Sequence, residues 1–144
     1  LMIDLIKEAW GWIGIEPIEI VGENAFGNLL VKDVSNQYWR ITPEELCCEI
    51  VANDELEYQE LCKDDNFALD WSMEKLVNEA RVMLGTLPEG HKYCLKIPGV
   101  VGGEYGGDNL GTVPFKELIA FSGDLANQIK DLPDGAEIKF NILE

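Results

Sequence analysis

Positive charge is scarce in this chain. Eleven lysines and arginines stand against 27 aspartates and glutamates, a formal net charge of −16 over 144 residues. That sign excludes direct nucleic-acid binding, because approach to phosphate is repulsive. Histidine is scarcer still. His91 stands alone and has no nucleophile or metal-ligand spacing beside it. The four cysteines (Cys47, Cys48, Cys62 and Cys94) form no C-x-x-C pair, so they read as reduced, small hydrophobic residues rather than a disulfide frame or zinc site. No apolar run approaches the roughly 18 residues of a membrane span, and no signal-peptide pattern opens the chain. A cytoplasmic protein with no membrane contact is expected.

Motifs that carry chemistry are missing in the same way. Five glycines fall at positions 99, 102, 103, 106 and 107, after a strand, as in a phosphate cradle. Their spacing is neither G-x-G-x-x-G nor a P-loop, no helix follows directly, and Glu104 and Asp108 would repel phosphate. Asp64 to Asp70 begins with the carboxylate spacing of a calcium loop. It lacks the sixth-position glycine, so acids at a helix N-terminus are the better description. Ser122 sits within a helical stretch, not in G-x-S-x-G. No catalytic residue, cofactor site or metal site is indicated.

What is present suits one α+β domain over residues 1–144, with 47% hydrophobic residues and a length that buries a core without cross-links. Apolar spacing predicts a helix over 3–13 with Asp4 as N-cap. Alternation predicts strands at 17–21, 29–32, 38–41 and 46–52, an antiparallel meander with a helical turn at Thr42-Pro43. Helices follow at 54–63 and 66–84, the second being the clearest, with Phe67, Trp71, Leu76, Val77, Ala80, Met83 and Leu84 in one stripe. Residues 93–97 alternate as a strand with one buried face, ended by Pro98. Val100 and Val101 predict that the glycine loop packs down. A short strand at 110–113, a helix at 114–130, a turn at 131–135 and a strand at 136–143 complete the chain. The expected architecture is a mostly antiparallel sheet, the N-terminal meander plus the later strands, packed against two main helices.

Charge is also uneven. Residues 1–72 hold 16 acidic and 4 basic residues, against 11 and 7 in residues 73–144. Between 44 and 70 there are ten carboxylates and one lysine, Lys63. This segment is either a solvated face or a surface for a basic partner. Trp39, Arg40, Tyr58 and Tyr105 are the anchors on offer for such an interface, though Trp39 fits a core equally well.

Several strings carry a resemblance. Gly22-Glu-Asn-Ala-Phe-Gly27, Tyr38-Trp-Arg-Ile-Thr-Pro43, Cys94-Leu-Lys-Ile-Pro98 and Gln128-Ile-Lys-Asp-Leu-Pro-Asp-Gly135 are similar to the immunity-protein family named for the C-terminal domain of the type VI secretion DNase immunity protein. At the level of fold the element order also resembles the wider SUKH immunity superfamily. The resemblance implies a bacterial protein that neutralises a cognate toxin, a nuclease with a basic cleft fitting the acidic composition. The contacts expected on that basis are Glu55, Glu57 and Glu60 in the acidic segment, Glu104, Tyr105 and Asp108 in the glycine loop, or both sets. A regulatory or scaffold module of the same fold and a small enzyme are the competing readings.

Overall fold

The computed structural model describes residues 1–132. The meander forms as expected: β1 (Pro17–Glu23), β2 (Leu29–Asp33), β3 (Tyr38–Thr42) and β4 (Cys47–Ala52) make an antiparallel sheet in that order. The β2–β3 hairpin is closed by Asp33, whose Oδ1 accepts from the backbone N–H groups of Ser35 and Gln37, while Asn36 takes the left-handed conformation at φ 63°. Alternation then sets two faces. Leu29, Val31, Trp39, Ile41 and Cys48 point one way and bury against α1 (Met2–Trp10) and α5 (Phe115–Ile129), through Ile6, Trp10, Ile119 and Ala126. On the other face, Tyr38 and Arg40 meet α2 (Glu55–Lys63) and α3 (Asp65–Ser72). Tyr38 stacks on Tyr58 at 4.0 Å between ring centroids, and the Arg40 guanidinium lies against Phe67 and Trp71.

The later strands do not join this sheet. β5 (His91–Leu95) and β6 (Leu110–Pro114) pair only with each other, as a second, two-stranded antiparallel sheet. Tyr93, Cys94 and Leu95 are all buried, so β5 is covered on both faces rather than the one that its alternation predicts. Tyr93 and Leu95 pack with Phe26 and Ala80, and Cys94 packs with Leu118 of α5. Helix α5 is therefore wedged between two layers. This explains why its buried set, Leu118, Ile119, Ser122, Gly123, Leu125 and Ala126, is wider than one stripe.

The long helix expected over 66–84 is two helices. α3 stops at Ser72, Met73 adopts the left-handed conformation at φ 47° and ψ 35°, and α4 (Glu74–Leu84) starts after it. Asn24 takes over part of the capping, its side-chain amide donating to the Trp71 carbonyl at 3.0 Å. The break redirects the apolar stripe: Phe67 and Trp71 serve the large sheet, whereas Leu76, Val77 and Ala80 serve the cluster under β5 and β6. Met83 and Leu84 are left exposed.

Smaller departures have local causes. Asp4 lies in the first turn of α1, one turn after the cap position. Thr42 precedes the 3₁₀ turn Pro43–Glu45 but makes no side-chain cap bond. Trp39 is core, with its indole N–H donating to Asp33 Oδ2 at 2.7 Å. The strand expected at 136–143, and the turn before it past residue 132, lie outside the described residues.

Helices α1 and α5 meet through Gly123. A Cβ built there would lie 2.3 Å from the Ala9 carbonyl oxygen, and the Trp12 indole N–H donates to the Gly123 carbonyl at 3.2 Å. Alanine in a helix interior is favoured over glycine by about 1 kcal/mol, but overpacking against fixed backbone costs about 1–3 kcal/mol. Gly123→Ala is expected to lower stability by a net of up to ~2 kcal/mol, because the clash is with fixed backbone. Urea unfolding followed by circular dichroism should show a lower midpoint at an unchanged m-value.

Candidate partner-binding surface

Arg40 organises the outer face of the large sheet. Its Nη1 pairs with Asp70 Oδ2 at 2.6 Å, and its Nη2 and Nε donate to Asn28 Oδ1 at 2.9 and 3.3 Å. Asn28 is fully buried, and its side-chain N–H donates to Glu44 Oε1 at 2.8 Å. Glu44 is itself buried at 7% exposure. Burial raises its carboxyl above the ordinary range, and the Asn28 hydrogen bond and the Arg40 charge only partly oppose that. Arg40 is therefore engaged within the fold and is not a free anchor for a partner.

The remaining acids of the segment face water, apart from Glu45, which is half-buried. Asp54 Oδ1 accepts from the Glu57 backbone N–H at 2.8 Å, and Glu57 Oε1 accepts from the Asn53 backbone N–H at 2.9 Å, a reciprocal cap at the start of α2. Glu55 and Glu60 are exposed on the same helix. Asp64 caps α3 by accepting from the N–H groups of Asn66 and Phe67, so it serves a helix N-terminus as its sequence context predicts. Among the described residues no group of three or more His, Cys, Asp or Glu is placed to hold a metal ion.

The glycine loop is held by its own groups more than by its valines. Asn109 bonds both edges of Ile97, accepting from its N–H and donating to its carbonyl at 2.9 Å each, and also donates to the Glu104 carbonyl at 2.7 Å. Any Cβ at Gly103 would fall 1.8 Å from the Ile97 carbonyl oxygen, so the chain reverses there only with glycine. Glu79 of α4 accepts from the Gly107 backbone N–H at 2.7 Å and ties the far end down. Val100, expected to pack, is 55% exposed.

These ties split the loop's expected contact residues. Glu104 and Asp108 line a shallow cleft with Lys96 and Ile97. Tyr105 points elsewhere and stands between two adjoining clefts. One, of about 350 Å³, is walled by Arg40, Glu45, Glu49 and Asp70; the other, of about 430 Å³, by Leu69, Met73, Glu74 and Leu76. The structure thus joins Tyr105 to the α3–α4 break and the end of the meander, and its cleft walls come from those elements rather than from Glu55, Glu57 or Glu60. Leu69, Met73 and Glu74 were not legible as site residues. Their only signal is the break itself, which a continuous apolar stripe conceals.

Other reactive groups are occupied or suppressed. Ser122 is buried and donates to the Ile119 carbonyl. Burial pushes the Cys48 thiol up to about 12 and the Cys94 thiol up to about 11, which keeps both protonated at neutral pH. No described helix is long and apolar enough to cross a membrane.

Comparison with known proteins adds one match. A family model described as the type VI secretion system (T6SS) immunity protein Tdi1, C-terminal, matches residues 52–126, more than half of the chain. The match begins at the last residue of β4, so it takes in α2 to α4, the small sheet and most of α5 but leaves most of the meander outside. No curated protein and no solved structure matches.

Glu44 supplies a test of this surface. With its folded-state carboxyl raised above its ordinary 4.5, the native state binds more protons than the unfolded one, and stability falls as pH rises from 4.5 through the folded value. Glu44→Gln keeps an acceptor for Asn28 without the buried charge. Its stability relative to the parent chain should therefore increase from pH 4 to pH 7. Urea midpoints of both proteins across that range should diverge; a constant difference would show that Glu44 is not the group responsible.

Proposed function

The chain belongs to the type VI secretion immunity family of the Tdi1 C-terminal domain, and from that membership we propose that it binds and neutralises a cognate toxin effector, a nuclease with a basic cleft. The family match carries the reading, and the charge supports the choice of partner. A nuclease cleft must attract phosphate and is positive, and a chain of −16 net charge is attracted to it over several ångströms. We read the action as occlusion by binding, not chemistry, and the site of action as the cytoplasm of the cell to be protected.

Residues 1–144 act here as one domain. α5, most of it inside the matched segment, is packed on α1 outside it, and Asp70 inside the match pairs with Arg40 outside it. On this reading the acids of α2, Glu55, Glu57 and Glu60, steer the toxin in. Exposed charges act over about 8 Å at physiological salt, and such fields change association rates more than residence times. Glu104 and Asp108 belong to the same acidic field.

Two measurements test this. Co-expression with the product of the neighbouring gene, where that gene encodes a toxin effector, should relieve its toxicity and give a complex that survives gel filtration; toxicity without relief refutes the reading. Glu55→Lys with Glu57→Gln and Glu60→Lys, which leaves the α2 cap its acceptor, should slow association about tenfold at low salt and flatten its salt dependence. An unchanged rate and salt slope would remove α2 from the interface.

A further inference from the structure

The groove beside Tyr105 has features that neither the fold nor the α2 acids account for. Leu69 is 67% exposed and Tyr105 48% exposed, and both face one groove together with Met73 and Leu76. Large apolar side chains directed into a shared concave site are candidates for interface contact. The groove is rimmed by Glu74 and Asp70, and on the other side of Tyr105 by Glu45 and Glu49. Against these acids stand Arg40, already bound to Asp70 and Asn28, and Lys75. Both walls rest on backbone that is held, not free: Met73 in the left-handed conformation on one side, and the loop fixed through Asn109 and Glu79 on the other.

We propose that the groove on either side of Tyr105 is the docking site for a basic segment of the toxin, an arginine or lysine whose aliphatic stem lies on Leu69, Met73 and Leu76 and whose cationic head reaches Glu74, Asp70 and Glu49. The proposal rests on the immunity reading above and says which surface grips the partner once the α2 field has drawn it in. Long basic side chains suit a site that is apolar along one wall and acidic at its rim, and a cation can also sit over the Tyr105 ring. A second copy of this chain is a poor occupant, because it would bring another net-acidic surface to an acid-rimmed groove. Nucleic acid is excluded by the same sign.

Steering and gripping separate kinetically: rim and distant charges alter association, whereas contacts in the packed centre alter dissociation. The test uses the full chain and the purified, catalytically inactivated product of the adjacent effector gene, with binding followed in real time. Leu69→Lys with Glu74→Lys, and separately Tyr105→Ala, are checked for unchanged thermal unfolding. Each is expected to speed dissociation by about tenfold or more, whereas the α2 variant leaves dissociation unaltered. If the parent chain binds and both groove variants dissociate at the parent rate, the groove is not the grip and the immunity reading survives. If the parent chain does not bind, both fall. Self-association of the parent chain that the groove variants abolish would assign the groove to a second copy and overturn the proposal.

Discussion

Arg40 is the cation on which the outer face of the sheet depends. It sits mid-strand among carboxylates, and its guanidinium meets three different demands: the Asp70 charge, the Asn28 carbonyl oxygen and the faces of Phe67 and Trp71. Together the contacts draw in several elements. Asn28 lies just before β2, Glu44 behind it lies in the turn after β3, and Asp70, Phe67 and Trp71 bring α3. The exposed Asp70 pair alone contributes little, because water screens it. The buried part matters more. Asn28 and Glu44 are polar groups in an apolar setting, tolerable only while satisfied, so losing the arginine would leave the Asn28 carbonyl oxygen without its donor and the buried Glu44 without its opposing charge.

That constraint also shapes the surface. The acidic half of the molecule has few basic residues, and its best-placed one is turned inward. The exposed acids of α2 and the cleft rims are consequently left facing water with little local neutralisation. A surface of that kind is costly within one molecule and favourable beside a positive partner.

The glycine loop illustrates how composition misleads about role. Glycine after a strand suggests room for a ligand. Here it is room for the protein's own backbone and side chains, the Ile97 carbonyl at Gly103 and the Glu79 carboxylate at the far end of the loop. The loop's fixed shape then turns Tyr105 away from Glu104 and Asp108, its neighbours in sequence, and toward Leu69 and Glu74, some thirty positions earlier in the chain.

Local signals were enough for the element types. Alternation marked all four strands of the meander, helical spacing marked α1, α2 and α5, and charge counting marked the acidic character and its uneven spread. The family resemblance rested on contiguous strings and so was legible as well. Three things were not. Met73 breaks a helix that periodicity reads as continuous, because both halves are apolar on a consistent face and only the packing reveals that they face different layers. β5 carries an apolar residue on each face, and alternation cannot show what covers the second. The groove at Tyr105 joins residues from the meander, the helix break and the loop. Sequence determined which residues carry charge and which must be buried, since those follow from each side chain's own chemistry. Tertiary structure alone decided which acids are left unpaired and which apolar side chains remain exposed, because both depend on where distant segments come to rest.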